Sequence, residues 1–214
     1  MSGCCNARGC DRFFSDRFAR RVARKYRKKG LDETARRMVE FLASRGIEGA
    51  TVLEIGGGVG EIEIELLKRG AEGAINLELS PAYAQEGRRL LEEEGLEERV
   101  ERRLHDIAGD PEGVAPADVV VLHRVVCCYP DYRGLLGAAA DHARRVVVFS
   151  YPPRNAVSRF FVGAQNVVFR LLRREFRTFA HPPAEMLAVV EERGFRRAFE
   201  HRPLVWQIAG LERD

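Results

Sequence analysis

Two stretches of the 214-residue chain combine residue types that can do chemistry. The first is Glu54-Ile55-Gly56-Gly57-Gly58-Val59-Gly60-Glu61. Four glycines within five positions, directly after the apolar run TVLEI at 51–55, allow a tight turn and a close approach of a ligand to the backbone. The pattern is not a nicotinamide or flavin fingerprint, because the last glycine of G-x-G-x-x-G, counted from Gly56, falls on Glu61. Nor is it a phosphate loop: the Gly-Lys-Ser/Thr ending is absent, and Glu61 would repel a pyrophosphate. The second stretch is His123-Arg124-Val125-Val126-Cys127-Cys128-Tyr129-Pro130-Asp131, which follows VVVL. His123 can act as a base and Tyr129 can position a group, Arg124 can hold an anion, and the two thiols are nucleophiles or soft ligands. Two cysteines ending an apolar strand are also what core packing looks like, and one of two neighbours normally points inward. Further along, His181 is a second candidate base and Tyr151 a second positioner. Arg154 and Arg159 could hold an anionic substrate or be ordinary surface charge.

The elements that must position these residues are readable from periodicity. Phe14, Phe18, Val22 and Tyr26 recur about every four residues, which predicts a helix stopped at Gly30. A second helix is expected from an Asp32 N-cap to Ser44. Strands at 51–55, 74–78, 100–104, 117–122 and 145–150 then alternate with helices near 60–69, 81–94 and 132–143. Strand–helix–strand spacing of this kind implies right-handed crossovers and a parallel sheet covered on both faces. A helix near 183–193, then FRRAFEH and PLVWQIAGL without a helix between them, suggest a terminal antiparallel hairpin. The expected fold is α/β, a doubly wound, seven-stranded, mostly parallel sheet. An N-terminal helical cap is expected over residues 1–45, the main domain over 46–214, and an inserted cap segment over 155–180.

At this point E-x-G-x-G-x-G after strand one resembles motif I of the class I S-adenosylmethionine-dependent methyltransferases, a likeness extending over about residues 50–150. The resemblance implies a Rossmann-like fold, methyl transfer, S-adenosyl-L-methionine as cofactor and the following roles. Gly56, Gly57, Gly58 and Gly60 lie along its ribose and methionine part, with Glu54 near the amino-acid end. Glu78, 18 residues past Gly60 at the end of strand two, holds the ribose hydroxyls beside Leu79. Asp106 faces the adenine amino group, with Ile107 as an apolar ring contact. The segment from His123 lines the methionine end and the substrate, so Cys127 and Cys128 stand where many small-molecule members have two histidines. His123, Cys127, Cys128, Tyr129 and His181 are the catalytic candidates, with His123 also against the cofactor. Arg124, Tyr151 and Arg154 are the substrate-binding candidates. The D/N/S-P-P-Y/F/W motif of amino-methyltransferases is absent after strand four. The reactive cysteine of arsenite methyltransferases falls on Arg124 in this alignment. V-F-S-Y-P-P-R, the basic-apolar insertion and His181 before a helix are loosely similar to magnesium-protoporphyrin O-methyltransferases.

Composition bounds the partners. The net charge of +3 divides unevenly: residues 1–45 carry 13 Lys/Arg against 5 Asp/Glu, and residues 46–153 carry 11 against 20. The basic start is either a solvated helix face or a cap near an anionic substrate, a membrane surface or nucleic acid. No RNA-binding module or aromatic stripe accompanies it, so a nucleic-acid partner is not expected and a small-molecule acceptor is. The alternatives are an RNA methyltransferase using that basic tract, a thiol or metalloid methyltransferase using the cysteines, and a cofactor binder without catalysis. Five cysteines in a chain this long read as reduced thiols in the cytoplasm. Cys4, Cys5 and Cys10 could approach Cys127 and Cys128, although C-C-x4-C is not a zinc pattern and no metal site is assigned. No apolar run reaches bilayer-spanning length. The 155–177 segment could touch a membrane surface, but a buried cap helix is the expected reading.

Overall fold

The computed structural model describes residues 14–213. Two helices come first. In α1 (Asp16–Lys29) the Ser15 side chain accepts from the Phe18 N–H, and Gly30, at φ 66°, closes the helix by donating to the Tyr26 carbonyl. In α2 (Glu33–Ala43) the Asp32 carboxylate caps the first turn by accepting from the Ala35 N–H. Part of the basic character of α1 is structural. Arg27 forks onto Glu93 at 2.7 and 2.8 Å, and the Tyr26 hydroxyl donates to Glu65; burial and that bond hold the hydroxyl above the normal phenol range.

The alternating part follows the spacing closely: β1 (Thr51–Ile55), α3 (Glu61–Lys68), β2 (Gly73–Glu78), α4 (Ala84–Glu94), β3 (Val100–Leu104), β4 (Ala117–Leu122), α5 (Tyr132–Asp141) and β5 (Ala143–Tyr151). After these come α6 (Ala156–Leu171), α7 (Pro183–Glu191), β6 (Arg196–His201) and β7 (Gln207–Glu212). The sheet order is β3-β2-β1-β4-β5-β7-β6. The first five strands are parallel, while β7 runs antiparallel to both β5 and β6. The strand order reverses between β1 and β4, and such a switch point opens a crevice at the carboxyl ends of the strands.

Side chains alternate across the sheet as a period of two requires. Val119, Val121, Val146 and Val148 face one layer with Met38, Leu42, Ile62, Leu66 and Leu90. Val120, Leu122, Val147, Phe149 and Tyr151 face the other with Leu135, Leu136, Met186 and Val190. Central strands covered on both faces explain why β4 and β5 are runs of valine.

Two expectations are corrected. The 155–177 segment is not a buried cap helix: in α6 only Phe169 is buried, and its remaining apolar residues face outward or line a cavity mouth. Asn155 caps the helix, and Asn166 ties it back by exchanging two hydrogen bonds with the Thr178 backbone, at 2.8 and 3.0 Å. The last strand begins at Gln207 rather than at Pro203, which leaves Leu204 and Val205 exposed at 91% and 67%.

Candidate functional site

The glycine turn leaves β1 with the Gly56 N–H donating to the Leu77 carbonyl at 2.6 Å. Gly56 has φ +66°, and a Cβ there would lie 2.5 Å from Cγ2 of Val125. Glycine is therefore needed twice over, for the left-handed backbone and for the close packing of the post-β4 loop against the turn. Glu78, ending β2, accepts from the N–H groups of Gly58 at 2.9 Å, Leu79 at 2.8 Å and Ser80 at 3.1 Å. Burial raises its carboxyl, against the lowering by those three amides. These bonds fix the carboxylate at the cleft wall.

Beneath the turn lies a buried polar cluster. Glu54 accepts from the Glu63 N–H at 2.9 Å; Glu63 accepts from Asn76 at 2.7 Å and pairs with Arg102 at 3.1 Å. Arg102 also donates to the Gly58 carbonyl. Burial and the neighbouring Glu63 and Glu61 charges push the Glu54 carboxyl well up. Burial pushes Glu63 up to about 7 despite Arg102. Gly60 belongs with this substructure: it starts α3 at φ +89°, the Glu63 carboxylate occupies the space a Cβ would take, and it does not line the cleft.

The cleft itself, about 1160 Å³ and open to solvent, is lined by Glu54, Gly56, Gly57, Gly58, Glu78, Leu79, Asp106, Ile107, His123, Arg124, Cys128 and Tyr129. Phe14, Phe18 and Val22 reach it from the N-terminal segment, and Phe14 packs on Tyr83 with ring centroids 5.7 Å apart. Tyr129 turns toward the far end: its hydroxyl lies 3.0 Å from both oxygens of Asp106. Leu79 and Ile107 give the wall an apolar middle between the carboxylates of Glu78 and Asp106.

The post-β4 loop is held from both sides. His123 Nδ1 lies 3.1 Å from Ser150 Oγ, which also accepts from the Arg124 N–H at 2.9 Å. Arg124 adopts φ +60°, pairs with Asp32 at 2.7 Å and stacks its guanidinium 5.0 Å above Trp206. Asp32 thus caps α2 and clamps the loop at once. The two thiols are separated by 3.4 Å, and both lie near the Arg124 carbonyl. Cys127 is buried and faces away from the first cleft; Cys128 lines it.

A second cavity, about 1230 Å³, adjoins the first. Phe14, Arg124 and Cys128 line both. Its remaining walls are largely apolar: Cys127, Pro152, Val157, Phe161, Val162, Phe176, Phe179, Leu204, Val205 and Trp206.

Three candidates lie elsewhere. His181 lines neither cavity; Nε2 lies 3.0 Å from the Tyr129 carbonyl and the ring is stacked on Phe179, so it buttresses the back of the loop. Burial lowers its pKa, against the carbonyl contacts of Tyr129 and Val126. Tyr151 points into the core beside Phe149, and burial raises its hydroxyl. Arg154 is exposed and lines neither cavity. The reading of residues missed Asp32 and Ser150 as partners of the loop, and Glu61 as a cleft residue whose carboxyl burial raises. The proposed meeting of Cys4, Cys5 and Cys10 with the loop cysteines lies outside the described residues. Among the described residues no group of three or more potential ligands could hold a metal.

The donor set suits one kind of occupant. Glu78 presents a fixed acceptor for adjacent hydroxyls, the glycine turn gives a bare backbone floor, and Leu79 and Ile107 flank a flat apolar space. Glu54 and Glu61 are buried carboxyls whose ionisation a neighbouring cation would favour, so they suit a cation and disfavour a phosphate. A nucleoside carrying a positively charged amino-acid arm meets all these conditions.

The comparisons agree. The family described as "Methyltransferase domain" matches residues 22–204. A curated relative, ribosomal protein L11 methyltransferase from Enterobacter sp. (strain 638), is 33% identical over 92 residues, 43% of this chain and 30% of that protein. The chain therefore spans less than a third of that relative's length. Magnesium protoporphyrin IX methyltransferase from Synechocystis PCC 6803, solved with bound SAH, superposes with a TM-score of 0.74 at 19% identity, covering 95% of this chain and 97% of that one. A candidate RNA methyltransferase from Pyrococcus horikoshii gives 0.57 at 17% identity, covering 84% and 81%. At these identities the superpositions speak for the fold.

Proposed function

The chain belongs to the methyltransferase-domain family, and from that premise we propose that it methylates a small molecule with a large apolar body and an anionic acceptor group. It is an S-adenosylmethionine-dependent enzyme of the class I fold. The cofactor supplies a methyl group on a sulfonium, open to in-line displacement by a nucleophile. Glu78 would hold the ribose hydroxyls, Asp106 and Ile107 the adenine, and Glu54 with the Gly56–Gly58 backbone the amino-acid arm. Tyr129 then fixes the orientation of Asp106 through its hydroxyl.

The observation that carries the acceptor class is the shared wall. Phe14, Arg124 and Cys128 line both cavities, so a ligand in the second meets the cofactor cleft at the post-β4 loop. That second cavity offers mostly carbon, with Arg124 as its charged contact. An apolar body with an anionic group fits it, and excluding water there favours a reaction whose main need is alignment. An acceptor that is already anionic needs no strong base, and of the two candidate histidines only His123 lines the cleft. The porphyrin named for the Synechocystis enzyme is a flat apolar ring with carboxylate arms, and it is the first acceptor to try.

The test has two stages. Calorimetry with S-adenosylhomocysteine should show binding that Glu78→Ala weakens at least tenfold. Transfer from radiolabelled S-adenosylmethionine is then followed against apolar carboxylic acids, thiols, phenols and total RNA. Label on RNA alone, or no affinity for S-adenosylhomocysteine, would refute the proposal.

A further inference from the structure

Helix α6 exposes its apolar side chains to an unusual degree: Val157 63%, Phe160 72%, Phe161 65%, Val167 56%, Val168 50% and Leu171 77%. The pattern has a direction. At 100° per residue these six and Ala164 fall within an arc of about 120°. The residues facing the protein are Ser158, Val162, Asn166 and Phe169, which occupy the opposite side. Leu172, at 60%, and the exposed Leu204 and Val205 extend the apolar surface. This stripe exceeds what isolated exposed residues on a soluble surface require, and it calls for a partner.

Charge identifies the partner. Arg154, Arg159, Arg170, Arg173 and Arg174 fall in residues 154–174, a span that contains no Asp or Glu. Arg159 and Arg170 flank the stripe along one side, while the other three stand at its two ends. An apolar helix face edged by arginine matches the boundary between anionic headgroups and acyl chains, where the face enters the hydrocarbon and the guanidiniums meet phosphate. A second copy of the chain fits poorly: a two-fold contact through this stripe would place like charges against each other.

We propose that α6 and the Leu204–Val205 loop form a docking surface for an anionic membrane. No helix among the described residues is long and apolar enough to cross a bilayer, so the contact is one of lying on the surface. The position of the stripe gives the contact a use. Val157 and Phe161 belong to it and also line the second cavity, as do Leu204 and Val205. The mouth of that cavity therefore opens at the docked surface, where an apolar acceptor dissolved in lipid can enter without crossing water. This last step rests on the acceptor reading given above; docking itself does not.

Co-sedimentation with vesicles tests the surface without any methyl transfer, so the two readings fail separately. The full chain should bind phosphatidylcholine vesicles containing phosphatidylglycerol, bind pure phosphatidylcholine more weakly, and lose part of its binding at high salt. Phe160→Ser with Leu171→Ser removes two exposed residues that line neither cavity. The double variant should bind S-adenosylhomocysteine as before and lose vesicle binding by about tenfold. No binding to either vesicle, or equal binding by the chain and its variant, would overturn the proposal. A concentration-dependent dimer abolished by the same two substitutions would overturn it in favour of a second copy.

Discussion

Asp32 does two jobs that can be separated by substitution. Its carboxylate caps α2 through the Ala35 N–H at 3.0 Å and pairs with Arg124 at 2.7 Å. Asn caps a helix about as well as Asp, so Asp32→Asn keeps the first job and removes the second. A hydrogen bond to a charged group contributes roughly 1.5–3 kcal/mol when dry. Here the side chains are 22% and 39% exposed, so solvent screening reduces the expected loss to about 1 kcal/mol. Asp32→Ala loses the cap as well, about 1 kcal/mol more. For a domain of this size each kcal/mol lowers Tm by about 2–4 °C. Thermal unfolding should therefore rank the wild type above Asp32→Asn, and Asp32→Ala below both.

The pH dependence supplies a second check on the same variant. Burial opposes ionisation of Asp32. The nearby His123 imidazole, the Ala35 N–H and the Arg124 charge outweigh it and hold the carboxyl well below the usual carboxylate range. His123 stands 3.9 Å away, an electrostatic neighbour rather than a close hydrogen-bond donor. A depressed folded pKa means the stabilisation is complete above the unfolded value of about 3.9 and is lost as pH falls through the folded value. The gap between wild type and Asp32→Asn should be full at pH 7 and narrow in acid. No gap at pH 7, or one that widens as pH falls, would refute the clamp.

Two other changes probe the floor of the cleft. Gly56→Ala combines a left-handed backbone with a Cβ 2.5 Å from Val125, and should cost about 2–5 kcal/mol in denaturant unfolding. Gly58→Ala, whose Cβ would meet Tyr83 at an ordinary 3.6 Å, should cost only about 1 kcal/mol for its φ of +57°. Equal losses would show that Val125 does not pack as described. Glu63 rises from an ordinary 4.5 to about 7 through burial, so the folded state holds the extra proton between those values. Stability from this group is complete below the lower value and is lost as pH rises through the upper one. Glu63→Gln should flatten that fall, as read from urea midpoints across the range, and an unchanged slope would count against it.

The parallel strands were legible because their physics is local. β4 and β5 are apolar on both faces, and each of the first three strands ends at a glycine, an acid or a turn that its neighbours make obvious. Glu78 was singled out by its position in the methyltransferase resemblance, and the structure holds it at the cleft wall through the Gly58, Leu79 and Ser80 amides. The helix α6 was misread because apolar residues all round suggest burial, whereas among the described residues no layer covers that side. Asp32 read as a cap and nothing more, its partners Arg124 and His123 lying far along the sequence. Glu61 registered as a misfit in a nucleotide fingerprint, although the same charge makes the cleft hospitable to a cation. Tyr151 carried a usable signal: it shares the period-two face of Val147 and Phe149, which turns it into the core and leaves Ser150 on the side of His123. For His181 no local spacing shows which way the ring turns.

The geometry of the loop also limits what its residues can do. A base must reach the proton it removes: His181 lines neither cavity and its Nε2 lies 3.0 Å from the Tyr129 carbonyl, whereas His123 lines the cleft, with Nδ1 held 3.1 Å from Ser150 Oγ and Nε2 3.9 Å from Asp32. Burial lowers the pKa of His181, against the carbonyl contacts of Tyr129 and Val126, and the ring is polar toward the loop it supports. Cys128 stands at the junction of the cavities, with its sulfur 3.4 Å from that of Cys127 and 3.8 Å from the Arg124 carbonyl. Arg124 is already balanced by Asp32, so an anionic acceptor competes with that carboxylate instead of meeting a bare cation. For the proposed acceptor, selectivity would come chiefly from the shape of an apolar chamber, with one shared guanidinium setting its orientation. On the proposed acceptor class, whose members need no strong base, the main contribution of these residues would be positioning.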